Sequence, residues 1–169
     1  TNGCAGGAFE ATQGFAEGAT IEAGGTYTVC NAGLGDTTMC DEDLSSPYVS
    51  FNGDDFYALV RGTGDAASFS AADIVDQIGR FSETDPGSSW PVCGSDSGMD
   101  TRNGLLTRAA DTCGGDATGA AFADAFAGAC LWNETDQATT PATWVASGSC
   151  VPPTGAPTPA PTALPTTAV

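Results

Sequence analysis

The chain is predicted to be all-β, stapled by disulfides, with an extended polyproline II tail at its C-terminus. Three observations predict this. Residues 51–81, FNGDDFYALVRGTGDAASFSAADIVDQIGRF, carry two apolar, β-branched and aromatic runs, 56–60 and 74–78, around a Gly/Ser/Asp-rich connection. That pattern reads as strand–loop–strand. Seven cysteines stand at 4, 30, 40, 93, 113, 130 and 150, with no Cys-x-x-Cys pair and no histidine beside them. The last nineteen residues, VPPTGAPTPAPTALPTTAV, hold six prolines alternating with Thr and Ala. Proline fixes φ and removes a backbone donor, so polyproline II is the natural state of such a segment.

The strands expected along the chain are 20–23, 26–31, 48–51, 56–61, 74–78, 105–108 and 143–146. Asn52-Gly53-Asp54-Asp55 precedes the fourth as a tight turn in which Gly53 can take positive φ. In the fifth, Ile74, Val75 and Ile78 are interrupted by Asp73, Asp76 and Gln77, as in a half-buried strand. Gly, Ser, Asp and Pro fill the connections. Residues 119–130, GAAFADAFAGAC, read as a short helix or turn with Phe122 and Phe126 four apart on one face, or as a loop plugging one end of the domain. The expected core is Tyr27, Val29, Val49, Phe51, Phe56, Ala58, Val60, Ile74, Ile78, Trp90 and Leu106. Residues 1–18 are Gly- and Ala-rich, with Phe9 and Phe15 as their large apolar residues, and cannot supply two ordinary strands by pattern.

The cysteines fit a disulfide framework of a secreted protein better than a zinc or iron–sulfur site. Their number is odd. Seven choices of the odd residue, each with fifteen pairings of the rest, leave about 105 schemes. Local spacing favours Cys30 with Cys40, Cys93 with Cys113, and Cys130 with Cys150. Cys4 is then unpaired or bonded to another chain. Asn133-Glu134-Thr135 is an N-glycosylation sequon. The Pro/Thr tail has the composition of an O-glycosylated stalk, with Thr154, Thr158, Thr162, Thr166 and Thr167 as acceptors. Its plainer reading is a disordered linker; its sharper one is an extended segment held by a neighbouring chain or by glycans. Thr1 reads as a processed or truncated start, and no signal peptide or apolar transmembrane run is present in the sequence.

A net charge of −17 and an isoelectric point near 4.1 argue against nucleic acid as a partner, because phosphate binding needs clustered Lys and Arg. Arg61, Arg80, Arg102 and Arg108 are the only cationic side chains. The acidity reads most simply as solubility in saline surroundings. The alternative is a structural Ca²⁺ on the acidic clusters Cys40-Asp41-Glu42-Asp43 and Asn52–Asp55, although neither fits the EF-hand pattern. No other cofactor is expected. Paired carboxylates for glycoside hydrolysis lack a cleft signature, Gly62-x-Gly64 is too short for a phosphate loop, and the lack of histidine removes Ser/His/Asp catalysis. The chain is therefore not expected to be an enzyme.

Residues 51–55 (FNGDD) with Tyr57-Ala58-Leu59-Val60, followed by Asp73-Ile74-Val75-Asp76-Gln77-Ile78-Gly79, resemble the lamin-tail domain. Asp85-Pro86-Gly87 with Trp90 is similar to that family's Pro-Gly-x-x-Trp turn. Thr101-Arg102-Asn103-Gly104 with Leu106, Thr107 and Arg108 resembles its next strand, and Ile21-Glu22-Ala23-Gly24-Gly25-Thr26-Tyr27-Thr28-Val29 its hairpin. The resemblance covers roughly residues 19–144. It implies an immunoglobulin-like β-sandwich acting as an accessory binding or structural module, and it transfers no catalytic residue. Such a sandwich needs about 100 residues, which this chain supplies. The domains expected are a Gly/Ala-rich segment over 1–18, a lamin-tail-like sandwich over 19–150 and a Pro/Thr tail over 151–169. Lamin-tail domains begin with two further strands, so here they are missing or provided by another part of an assembly.

Two functions compete on this reading. One is a secreted structural glycoprotein that self-assembles into an extracellular filament or cell-surface lattice through strand or tail contacts between subunits. The other is an accessory binding or adhesion module of a larger secreted protein. Both imply the same modification pattern. Intact-mass analysis of material from the native host is expected to exceed the polypeptide mass of 16.8 kDa, with an N-linked glycan on Asn133 and O-linked sugars on several of the five tail threonines. A bare polypeptide mass would refute the glycoprotein assignment.

Overall fold

The computed structural model describes residues 6–22, 25–33, 37–45, 51–102, 104–109, 112 and 114–136. Its order comes from short strands and single 3₁₀ turns. The strands are β1 (Val29–Asn31), β2 (Glu42–Leu44), β3 (Tyr57–Val60), β4 (Ile74–Ile78), β5 (Pro91–Val92), β6 (Met99–Asp100), β7 (Gly104–Arg108) and β8 (Trp132–Asp136). They pair as four two-stranded ladders: β1 with β2, β3 with β4, β5 with β6 and β7 with β8. The first is parallel and the other three are antiparallel.

The strand–loop–strand expected over residues 51–81 forms. β3 and β4 pair antiparallel with Tyr57 opposite Ile78 and Leu59 opposite Asp76, and the register shifts between Leu59 and Val60. Gly53 has φ +116°, where an added Cβ would lie 3.0 Å from the Arg102 side chain and 3.1 Å from the Ser88 carbonyl oxygen. Only glycine lets the turn come this close. The connection between β3 and β4 is shaped by 3₁₀ turns at Ala66–Ser68 and Ala71–Asp73. Ser70 and Asp73 close a reciprocal capping box on the second.

The beginning of the chain differs from expectation. Residues 20–22 form no strand, and the Gly25 N–H donates to the Glu22 carbonyl at 2.8 Å in a turn. The strand expected over 26–31 shortens to β1, and its partner is β2, whose acidic sequence carries no strand pattern. Parallel neighbours normally need a long crossover. Here the Cys30–Cys40 disulfide, with Cα atoms 5.8 Å apart, closes the short connection. The Thr28 N–H also donates to the Asp41 carboxylate at 2.6 Å, and the Thr28 carbonyl accepts the Asp41 N–H at 2.8 Å.

The core sits elsewhere than the pattern suggested. Trp90, Val92, Ala121, Phe122 and Trp132 form the buried cluster, with Ile78, Cys93, Met99, Leu106, Cys130 and Leu131 packed against it. Ile74 and Trp90 are buried as expected, whereas Tyr27, Val29, Phe56, Ala58, Val60, Ile78 and Leu106 are half-buried. Phe51 is 38% exposed and is not a core residue. Val49 and the strand expected over 143–146 lie outside the described residues, as do residues 48–50 of the third expected strand.

Trp90 ties the cluster to the turn before β3. Its indole Nε1–H reaches the carbonyls of Asp54 at 3.1 Å and Asp55 at 3.0 Å, and its backbone N–H donates to Thr101 Oγ1 at 2.9 Å. The Thr101 hydroxyl in turn donates to the Gly53 carbonyl. The helix or turn expected over 119–130 reduces to one 3₁₀ turn, Ala120–Phe122. It buries Phe122 completely and leaves Phe126 half-buried. Ala123 is extended, so the turn does not propagate.

The second disulfide corrects the sequence pairing. Cys93 joins Cys130, not Cys113, and Cys130 is therefore not bonded to Cys150. The reason is tertiary: the Cys93 N–H donates to the Ala121 carbonyl at 2.5 Å, which lays β5 against the 119–130 segment. Cys4, Cys113 and Cys150 lie outside the described residues. By loop-closure entropy, bridges with sequence separations of 10 and 37 stabilise by about 3 and about 4 kcal/mol. Replacing Cys93 and Cys130 together by Ser is thus expected to lower the unfolding free energy more than replacing Cys30 and Cys40. Denaturant titration checks the order, and non-reducing peptide mapping should recover both bridges.

Candidate functional site

Catalytic residues were not expected, so a site must be sought among surfaces and polar clusters. The most distinctive is the seat of the N-terminal segment. Residues 6–18 form no strand or helix, as their Gly/Ala-rich sequence predicts. The segment is nonetheless attached. The Phe9 ring lies 5.9 Å from Phe56, 6.4 Å from Phe69 and 5.0 Å from Phe81, centroid to centroid. Phe56 precedes β3, Phe81 follows β4 and Phe69 comes from their connection, so the β3–β4 hairpin builds the seat. Aromatic pairs at such separations add to plain burial. Thr12 Oγ1 donates to the Gly64 carbonyl at 3.4 Å. A second clasp follows: Phe15 packs edge-on against Tyr27 at 5.2 Å, and Glu42 Oε2 accepts the Ala16 N–H at 3.3 Å and the Tyr27 hydroxyl at 3.1 Å.

A polar node joins β4, β7, β8 and residues 114–122. The Asp76 carboxylate accepts from the Arg108 guanidinium, from the Asp116 N–H at 2.7 Å and from the Gln77 N–H at 3.0 Å. The Arg108 guanidinium lies 3.9 Å from the Trp132 ring centroid. That cation–π contact compensates its buried Nη1, which has no hydrogen-bond partner. Gln77 Nε2 donates to the Ala117 carbonyl at 3.2 Å. Asp116 is the buried centre of the loop. Its carboxylate accepts the Ala121 N–H at 2.9 Å, the Thr118 hydroxyl at 2.9 Å, and the N–H groups of Ala120 and Thr118 at 3.2 Å each. Burial alone would raise its pKa, but these four donors outweigh burial and hold it below its ordinary value.

The acidic clusters serve the chain's own donors. Asp41 and Glu42 bind Thr28, Ala16 and Tyr27 as described, and Asp55 Oδ2 accepts the Asn52 N–H at 3.4 Å. Asp54 is buried, and its Oδ1 has no hydrogen-bond partner. Among the described residues the group close enough to share a metal ion is Cys30, Cys40 and Asp43. Both of its sulfurs are joined in the disulfide, which removes the thiolates that ligation requires. A cleft of about 260 Å³ opens between Arg80, Glu83, Asp85, Trp90, Phe122 and Asp124. Its one cation, Arg80, pairs with Glu83 at 3.0 Å.

The glycosylation sequon lies on β8, where Asn133 pairs in register with Thr107 and its side chain is exposed. Thr154, Thr158, Thr162, Thr166 and Thr167 lie outside the described residues. Among the described residues no helix is long and apolar enough to cross a membrane. Comparison with protein-family models, with curated proteins and with solved structures finds no match for this chain.

The Asp116 node carries a pH dependence. A depressed pKa in the folded state means stabilisation that is complete above the unfolded-state value, ordinarily 3.8, and is lost as pH falls through the folded value. Asp116→Asn is expected to cost about 1–3 kcal/mol at neutral pH and to flatten the loss of stability on acidification below pH 3.8. Chemical denaturation at several pH values tests both. Parallel acid profiles for wild type and variant would show that Asp116 contributes no such linkage.

Proposed function

We propose that this chain is a non-enzymatic, secreted structural glycoprotein. In this reading it is the subunit of an extracellular filament or cell-surface lattice, built on a lamin-tail-like immunoglobulin β-sandwich with an extended polyproline II tail. The observation that carries the proposal is that every ladder among the described residues is two-stranded. Each of those strands keeps one edge without a strand partner among the described residues, and such edges template pairing with another chain. A segment from a neighbour that satisfies them adds a strand. Phe15, Ile21, Met39, Phe51 and Leu59 are large apolar side chains that remain exposed, and intersubunit contact would cover them. The two disulfides fit an oxidising extracellular setting. The exposed Asn133 side chain leaves room for a glycan.

The second reading, an accessory binding or adhesion module of a larger secreted protein, is favoured by one observation. The N-terminal segment folds back on its own chain through Phe9, as in a self-contained monomer. The tail distinguishes the two. As a connector, it lies along the next subunit as a preformed rod with little conformational entropy left to lose. Deleting residues 151–169 is then expected to weaken or abolish fibres seen by electron microscopy, while thermal melting of the domain stays unchanged. Fibres of normal stability from the truncated chain would remove the tail as connector, and a monomeric full-length glycoprotein would favour the module.

A further inference from the structure

We infer that the Phe9 arm is exchangeable: its aromatic seat also receives Phe9 from a second copy of this chain. This inference rests on the assembly reading above and names the contact. Residues 6–13 contribute no strand or helix. The arm's attachments include the Phe9 ring among Phe56, Phe69 and Phe81, the Thr12 hydroxyl on Gly64, and a close approach at Gly7. Gly7 has φ +69°, and an added Cβ there would lie 2.5 Å from Ser82 Oγ and 3.6 Å from the Phe81 ring. Ser82 itself is held at φ +65°, a conformation uncommon for a residue with a side chain. Arm and seat are therefore matched at two points, a ring among three rings and a bare backbone against Phe81 and Ser82.

Nothing in those contacts requires both partners to belong to one chain. Between the arm and the Phe15–Tyr27 clasp stands Gly14, with open space where a Cβ would be. Rotation there would release residues 6–13 while the clasp at Phe15 and Ala16 stays closed. Phe9 stands five residues before Gly14, so the freed ring reaches at most about 18 Å from the hinge, enough to meet the seat of a closely apposed subunit. Exchange replaces each intramolecular contact by the same intermolecular one, so little contact energy separates the two states. Concentration and additional subunit contacts then decide between them. Arm and seat are different surfaces, so successive exchanges run head-to-tail and propagate when the rotation does not close a ring.

Complementation tests the exchange. A Phe9→Ala chain keeps the seat and loses the plug; a Phe81→Ala chain keeps the plug and loses part of the seat. Each alone weakens the half-buried ring contact in the closed and the exchanged state alike, so neither alone is expected to dimerise at a lower concentration than wild type. Mixed in equal amounts, they should form heterodimers by sedimentation velocity, because one plug still meets one intact seat. Gly7→Val added to the Phe81→Ala chain leaves the partner's seat untouched and should abolish the heterodimer, because a Cβ there would lie 2.5 Å from Ser82 Oγ. A synthetic peptide of residues 6–13, GGAFEATQ, should cap wild-type assembly. If wild type forms fibres while the mixture yields no heterodimer, or yields it equally well with Gly7→Val in the Phe81→Ala chain, the exchange is refuted and the filament reading survives. If wild type stays monomeric at every concentration, the filament reading fails and the exchange with it.

Discussion

A shortage of large buried apolar side chains among the described residues governs this structure. Among the described residues, Cys30, Ile74, Trp90, Val92, Ala121, Phe122 and Trp132 are the buried hydrophobics, in a chain with 23 glycines. So small a core cannot alone offset the entropy of ordering the described residues. Three substitutes take its place: covalent bridges, aromatic clusters and buried carboxylates that gather backbone donors. Trp90 belongs to the core through its ring and to the polar framework through its indole and backbone N–H groups. It is the point where burial and hydrogen bonding meet.

The acidity acquires an architectural meaning in this light. A carboxylate is a strong acceptor with two oxygens and can organise several N–H groups that have no strand or helix to satisfy them. Asp116 does this for the 116–121 turn, Asp76 for the approach of that turn to β4 and β7, and Asp41 and Glu42 for the approach of β2 to residues 16–28. With four arginines against twenty-one acids, few of these groups can be neutralised by ion pairs. Hydrogen bonding to the backbone is the remaining way to keep them inside a fold.

The same scarcity bears on function. Among the described residues, strand edges that have no strand partner and large apolar side chains that stay exposed gain stability from any neighbour that covers them. The N-terminal arm shows the principle within one molecule: a segment without strand or helix is ordered by placing one ring among three. The proposed assembly extends that contact from one molecule to the next.

Local sequence determined the parts whose cause is local. Turn residues around a β-branched run defined the β3–β4 hairpin, Gly53 its positive φ, and a ten-residue spacing the Cys30–Cys40 bridge. It also marked the Gly/Ala-rich start as unable to supply two ordinary strands, and residues 6–18 form none. Tertiary structure decided what depends on distant partners. β2 and β8 are polar sequences that become strands because a staple or a facing strand holds them. Cys93 chose Cys130 over Cys113 because β5 lies against the 119–130 segment. The Asp76–Arg108–Asp116 node joins residues up to 40 apart, a separation at which sequence offers no periodic signal. Phe9 and Phe15 stood out in the sequence as the large apolar residues of a Gly/Ala-rich stretch. Their partners did not, because the seat exists only once the hairpin brings Phe56 and Phe81 to within 5.8 Å of each other.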